Sequence, residues 1–337
     1  MKAVTINSPF TLDSIQLSDI PDPGQPGKGE IRVAIKASSL NFHDLMVATG
    51  AMPVADGLVL LSDGAGVVDA VGEGVTGFRV GDAVVSTFFP VWTAGRPGPD
   101  VGGFSHTPGD GVAGMASEYV VRSENAFTPA PAGWSHTEAA TITTSGLTAW
   151  RALVVNGGLK AGETVLVQGT GGVSVAALQL AKAMGARVIA TSSSDEKLAR
   201  ARKLGADDTI NYRTTPEWGD KVLALTGGVG VDHVVEVGGP ATLNESLKAV
   251  KVGGHIAVIG VLSGADAALS IFSVLSKQVR IEGLIVGSRQ DQIDYVKALE
   301  LMTQKPVIDQ VFSYAQLSEA FAHLQSGKHL GKVCVSW

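Results

Sequence analysis

The chain of 337 residues is long enough to build two hydrophobic cores rather than one. Hydrophobic residues make up 45% of it and charged residues 17%, a balance that excludes a disordered polymer. A net charge of −6 with scattered lysines and arginines excludes a basic nucleic-acid footprint, and a single cysteine, Cys334, excludes a disulfide framework and a thiolate metal cluster. No apolar run reaches the ~18 residues of a membrane span, and residues 1–6 lack a signal-peptide apolar region, so the expectation is a cytoplasmic protein with no membrane partner.

Residues 30–40 alternate Ile31, Val33 and Ile35 with Arg32, Ala34 and Lys36, the period of two of a half-buried strand. Residues 64–71 and 82–86 read as further short strands between glycine-rich turns, which predicts a small barrel or sandwich. Residues 87–115 set Phe88, Phe89, Trp92 and Phe104 among many glycines and prolines. This reads as a long ordered loop, a rare feature that suggests function. From about residue 126 the texture changes, and apolar strands alternate with helices. Strands are predicted at 164–168, 187–191, 209–211, 234–237 and 256–260, with helices at 172–184 and 195–204. Such alternation means an α/β fold with a doubly wound parallel sheet. Helices at 293–302 and 316–325 and a strand at 332–336 close the sequence, the strand returning to the first domain.

The strand at 164–168 runs straight into Gly169-Thr170-Gly171-Gly172-Val173-Ser174 and then a helix. Gly169 permits the tight turn, and Gly171 lets the backbone approach a pyrophosphate. The helix start offers free N–H groups and a positive dipole end. Ser174 stands where a third glycine is usual, a position of helix–strand packing that a small residue can fill. Residues 172–176 also partly match a nucleophile elbow, but that motif puts its serine on the turn, and Ser174 falls inside the helix.

A site for NADH wants an acid at the end of the second strand, to hold the ribose diol. This chain has Ser192-Ser193-Ser194 there. Asp195 is expected in the first helical turn, where acids favour the dipole. Ser192 and Ser193 with Lys197 can accept a 2′-phosphate, which favours NADPH with NADH possible; as capping residues, Ser193 and Glu196 also fit a capping box.

The motifs Asn41-Phe42-His43-Asp44, Asp63-Gly64-Ala65-Gly66-Val67-Val68, Val71-Gly72-Glu73-Gly74-Val75, Val80-Gly81-Asp82, the glycine loop and Gly331-Lys332-Val333 occur in order along the chain. With them the sequence resembles the medium-chain dehydrogenase/reductase superfamily over essentially its whole length. It is most similar to the zinc-independent branch of quinone oxidoreductases and zinc-lacking alcohol dehydrogenase homologues. The resemblance implies a discontinuous β-rich domain, a partly open GroES-like barrel of residues 1–125 and 289–337, and a Rossmann domain of residues 126–288. It also implies a homodimer that pairs sheet edges near residues 279–286.

In zinc-dependent members a cysteine stands at Asn41, a histidine at Ser62 and a second cysteine near Thr144. Neutral amide and hydroxyl groups cannot replace them, so no metal is expected. The resemblance implies a cofactor touching Gly169, Thr170, Gly171, Gly172, Val173, Ser174, Ser192, Ser193, Lys197, Tyr212, Gly238, Gly260 and Lys332. Tyr212 can equally cap the third strand by packing, and Lys332 can equally be an exposed charge beside the last strand. His233 and His255, flanked by apolar strand residues, read as structural.

Hydride transfer belongs to the cofactor, so the protein must bind the acceptor oxygen and manage a proton. Asn41, His43 and Thr144 are the candidates, with His43 either serving the substrate or starting a helix. Asp44 reads as a local cap. Phe88, Phe89 and Trp92 either wall a substrate pocket or pack the loop. The expected activity is NADPH-dependent, metal-free hydride transfer to a small quinone or α,β-unsaturated carbonyl. An alcohol dehydrogenase or aldehyde–ketone reductase is the alternative, and a non-catalytic NADPH-binding protein is the second.

Overall fold

The computed structural model describes residues 1–101, 103–266 and 268–337, without the side chain of Asp100. The chain divides into two units, Met1–Leu147 with Val286–Trp337, and Thr148–Ile285.

The first unit opens with β1 (Lys2–Ile6), β2 (Ile15–Asp19), β3 (Glu30–Ser39), α1 (Phe42–Ala48) and β4 (Leu58–Val59). It continues with β5 (Ala65–Val71), β6 (Ala83–Ser86), β7 (Tyr119–Ser123), β8 (Phe127–Pro129) and α2 (His136–Ala140). Ile31, Val33 and Ile35 of β3 are buried, as the alternation predicts, in a cluster with Val68, Val84, Met115, Val120 and Phe127, but Ala34 between them is buried as well, because β3 is flanked by strands on both edges. Among the described residues of 87–115 the chain runs as a loop, with a short turn at Pro99–Val101 and an isolated bridge between Pro108 and Val112. Phe88, Phe89 and Trp92 of this loop are buried and Phe104 is half-buried, which gives the glycine-rich segment an apolar anchor. The chain leaves this unit through α3 (Leu147–Trp150), flanked by two wider π-type turns at Ile142–Gly146 and Arg151–Val155.

The second unit contains β9 (Thr164–Gln168), α4 (Gly172–Ala183), β10 (Arg187–Ser192), α5 (Asp195–Lys203), β11 (Asp208–Asn211) and α6 (Trp218–Leu225). After these come β12 (Val231–Glu236), α7 (Pro240–Ala249), β13 (Val250–Val258), α8 (Ile271–Lys277) and β14 (Arg280–Gly283). Its six strands are parallel in the order β11-β10-β9-β12-β13-β14. This is a doubly wound Rossmann sheet whose order reverses between β9 and β12, the position where such sheets bind ligands. Leu166, Ile189, Val234 and Ile256 fill its core. β14 is an edge strand, as expected, and Ile271, Phe272 and Leu275 of α8 are exposed.

The chain then returns to the first unit with α9 (Arg289–Leu301), β15 (Ile308–Ser313), α10 (Leu317–Gln325) and β16 (Lys332–Ser336). β16 lies between β15 and β3 in a seven-stranded sheet ordered β15-β16-β3-β5-β6-β8, with β7 also on β3. A three-stranded sheet, β2-β1-β4, stands beside it. The texture change at residue 126 precedes the division at Leu147, because β8 pairs with β6 and α2 packs on β3. Among the described residues no helix is long and apolar enough to cross a membrane.

Candidate functional site

In the second unit the candidate cofactor residues gather at the carboxyl ends of β9, β10 and β12. Gly169 has φ of +71°, the left-handed conformation the turn requires, and no atom lies within 4 Å of where a side chain would start at Gly169 or Gly171. Gly171 is the N-cap of α4 and brings no capping side chain, so the first-turn N–H groups of Gly172 and Val173 are open to an anion. Thr170 and Ser174 are buried. Ser174 Oγ donates to Gln168 O at 2.6 Å and ties the helix to its strand, the packing duty of the third glycine. These features fit a dinucleotide pyrophosphate.

At the end of β10, Ser192 Oγ accepts from Ser194 N at 3.3 Å. The helix cap is Ser194, which accepts from Lys197 N at 3.3 Å; it is a simple cap in place of the capping box expected from Ser193 and Glu196, and Ser193 is left half-buried. Asp195 opens α5 and accepts from Asn211 Nδ2 at 2.8 Å, which takes its carboxylate to β11. Tyr212 donates its backbone N–H to Ser192 O at 3.1 Å and exposes 40% of its surface. Gly238 and Gly260 lie after β12 and β13. Sequence reasoning missed the carboxylate beneath them: Glu236, fully buried, accepts from Gln168 Nε2 at 2.7 Å, Gly238 N at 2.8 Å and Thr242 Oγ1 at 2.6 Å. It joins β9 to β12 at the reversal point.

In the first unit, Asn41 is the N-cap of α1, and Asp44 Oδ2 accepts from its backbone N–H at 2.8 Å while Asp44 Oδ1 accepts from Ser62 N at 2.9 Å. Asp44 is the local cap that the sequence suggested. Asp63, next in the chain, is fully buried. Its Oδ2 accepts from Ser39 Oγ at 2.5 Å and Asn41 Nδ2 at 2.9 Å, and its Oδ1 from Thr144 Oγ1 at 2.6 Å. Thr144 belongs to the first π-type turn, a helix irregularity common at functional positions. Burial holds the Asp63 carboxyl above the usual range, and nearby Asp44 adds to this, against the pull of Lys332 and the hydroxyls of Ser39 and Thr144.

Lys332 is neither an exposed charge nor a side chain directed to the surface; it is 5% exposed. Its ammonium donates to Leu40 O at 2.7 Å and Asn41 Oδ1 at 2.5 Å and lies 3.8 Å from Asp63. The burial follows from β16 lying between two other strands. Asn41 is thereby occupied at both ends, and the amide hydrogens expected for an acceptor point at Asp63 and, at 3.4 Å, Ser39 O.

His43 is different. Its Nε2 lies 3.0 Å from Asp110 Oδ2, and its Nδ1 is buried without a hydrogen-bond partner among the described residues. Phe88 meets the ring edge-on at 5.2 Å and Phe104 lies tilted at 5.4 Å. Phe89 and Trp92 pack behind them and are buried at 1% and 5% exposure, as members of the aromatic cluster rather than an open wall. Asp110 carries no local signal in the sequence, since it lies 67 positions away in the glycine-rich loop.

The word zinc enters through the family. Residues 172–304 match the family described as zinc-binding dehydrogenase, and residues 27–132 match the alcohol dehydrogenase GroES-like domain. The residues present do not fit that metal: among the described residues no group of three His, Cys, Asp or Glu side chains is arranged to hold an ion. A zinc-type alcohol dehydrogenase-like protein of Schizosaccharomyces pombe is 40% identical over 96% of this chain and 95% of its own. A crystal structure of an NAD-dependent alcohol dehydrogenase is 38% identical, covers all of both chains and superposes with a TM-score of 0.89. A quinone oxidoreductase of Pseudomonas syringae pv. Tomato DC3000 is 28% identical, covers 100% of this chain and 99% of its own, and superposes with a TM-score of 0.83. A glycine loop opening a doubly wound sheet, a GroES-like barrel and full-length similarity to these enzymes make the chain an oxidoreductase of the medium-chain dehydrogenase/reductase superfamily.

Proposed function

We propose that the protein reduces a small electron-poor acceptor, an α,β-unsaturated carbonyl or a quinone, with NADPH and without a metal. The observation that carries the reading is the state of the polar groups in the first unit. Asn41 and Thr144 are turned onto Asp63, whereas His43 Nδ1 and Ser62 Oγ are buried without a hydrogen-bond partner among the described residues, and of these only the imidazole can both take up and release a proton near neutral pH. A bound dihydronicotinamide supplies the hydride. His43 holds the acceptor oxygen and its proton, and Phe104, half-buried beside the ring, suits a flat apolar acceptor. A conjugated acceptor spreads its developing charge onto oxygen, where one hydrogen bond can stabilise it. An unactivated alcohol must first lose its hydroxyl proton, which a metal would otherwise promote.

The preference for NADPH rests on Ser192 and Ser193 at the end of β10, with Asp195 engaged by Asn211. Gly169–Ser174, Lys197, Tyr212, Gly238 and Gly260 complete the cofactor site in this reading. A second copy of the chain covers the edge strand β14 and the apolar side chains of α8, giving a homodimer.

An alcohol dehydrogenase is the second reading, favoured by the names of the relatives from Schizosaccharomyces pombe and of the NAD-dependent enzyme. Oxidation of NADPH and NADH with quinones, enones and aldehydes, run beside oxidation of saturated alcohols, decides between them. Enone or quinone reduction is expected. Turnover of saturated alcohols with no enone or quinone activity overturns the proposal, and tight NADPH binding without any turnover makes the protein a binder.

A further inference from the structure

The loop of residues 87–115 is anchored where it meets His43. Leu61, three positions before Gly64, has φ of +74°, a costly conformation for a branched side chain. The loop closes over it through Gly109, whose own φ is +76° and where a side chain would begin 2.8 Å from the Leu61 backbone. The next residue is Asp110. Its turn is held by Gly109 N donating to Val112 O at 2.9 Å and Asp110 N to Thr107 O at 3.3 Å. The carboxylate is therefore presented from a backbone packed into the fold, and the side chains of His43 and Asp110 are only 13% and 12% exposed.

We propose that Asp110 is a positioning residue, which holds His43 by its Nε2–H and so keeps Nδ1 as the atom that exchanges a proton with the acceptor oxygen. A carboxylate oxygen accepts, so at 3.0 Å the ring nitrogen facing it donates, and the neutral ring is the Nε2–H tautomer. The unpartnered Nδ1 then carries the exchangeable site. Phe88 and Phe104 flank the ring and offer it no competing hydrogen bond. A bound dihydronicotinamide would supply hydride to the acceptor carbon, and the displaced π pair would move to the acceptor oxygen. That oxygen takes the Nδ1 proton of the doubly protonated ring, which is left as the Nε2–H tautomer against Asp110, and solvent later returns a proton to Nδ1.

This rests on the proposed reduction, so the test has one arm that needs no turnover. Nitrogen-15 NMR of the full-length protein labelled at histidine reads the tautomer, with the His43→Gln variant identifying the resonances. Wild type is expected in the Nε2–H form. Asp110→Ala should give a mixed or reversed tautomer, whereas Asp110→Asn, whose carbonyl can still accept, should retain the wild-type form. In turnover, kcat should fall about 10–100-fold in Asp110→Ala and less in Asp110→Asn, with NADPH affinity unchanged in both. An Nε2–H ring that persists in Asp110→Ala overturns the proposal. So does a tautomer change with kcat and KM untouched. If wild type reduces no acceptor in the panel, the functional reading fails and the tautomer arm still decides whether Asp110 sets the ring.

Discussion

Lys332 and Asp63 face each other at 3.8 Å with the Asn41 side chain spanning them, its nitrogen donating to the carboxylate and its oxygen accepting from the ammonium. A buried pair satisfied in this way costs more to break than to delete, because one partner alone leaves an uncompensated charge. Lys332→Met is expected to lower unfolding stability by about 3 kcal/mol or more, and the double variant with Asp63→Asn by clearly less than the two single losses added. Urea denaturation of the four proteins measures this. Additive losses would remove the coupling inferred here.

Ser192→Asp should reverse the cofactor preference. A carboxylate at this position can keep the acceptor used by Ser194 N and present a second oxygen. That oxygen suits a ribose diol and repels a 2′-phosphate. Fluorescence titration of wild type should show NADPH bound more tightly than NADH, and the variant should lose roughly tenfold or more of its NADPH affinity, about 1.4 kcal/mol. Equal or better NADH binding by wild type would defeat the assignment.

The purified protein should contain no stoichiometric zinc, and chelators should leave its activity unchanged, because Asn41, Ser62 and Thr144 bring no thiolate, imidazole or carboxylate. Elemental analysis settles the first point and a chelator titration of the assay the second. One bound zinc per chain is the contrary result.

His233 and His255 make a proton-ordered chain. His233 Nε2 lies 3.0 Å from Glu163 and donates to it, so its Nδ1 accepts from His255 Nδ1 at 3.5 Å, and His255 Nε2 has no hydrogen-bond partner among the described residues, with Glu282 3.9 Å away. Burial, then Arg280 and His233, push the His255 pKa down to about 3. The folded state thus resists a proton that the unfolded chain accepts near pH 6.5. The contribution is complete above about pH 6.5 and is lost as pH falls from there toward 3. Wild type should lose stability between pH 7.5 and 5, and His255→Phe should shrink that loss by about 1–2 kcal/mol. Denaturant midpoints at the two pH values provide the measurement, and an unchanged difference would contradict the tautomer chain.

Phe272 of α8 is 81% exposed, beside Ile271 at 65% and Leu275 at 71%. If a second copy covers this surface, Phe272→Asp should weaken the dimer by tenfold or more while leaving the fold intact. Light scattering at micromolar concentration checks it. A monomeric wild type would end the dimer proposal.

The Rossmann unit was legible because its signals are local. β9 was read at its observed bounds, and α4 and α5 each end one residue earlier than predicted. The strand predicted at 234–237 in fact starts at Val231, and α9 starts at Arg289 rather than 293, because Ser288 caps it against Asp291 ahead of the first apolar stripe. Only the start of α1, at His43, is read from the sequence, and α2, α3, α6, α7 and α8 are not; α2 and α3 are single turns, and α7 opens on Pro240, which in sequence reads equally as a loop. At the candidate site the sequence singles out Asn41, His43, Thr144 and Lys332 but not the contacts among them. Ser39, Asp63 and Asp110 meet them, and Lys332 meets Asn41, only through strand pairing and a long loop, contacts that leave no periodicity in the sequence.

The placement of β16 gives the fold an order in time. Residues 148–285 form a contiguous unit and can fold as the chain leaves the ribosome. The first unit is made earlier yet stays incomplete, because β3 gains its β16 neighbour, and Asp63 its ammonium, only when the residues after Leu330 have been made. Until then the early barrel carries an open strand edge and a carboxyl without its ammonium, a state in which β3 is exposed to mispairing.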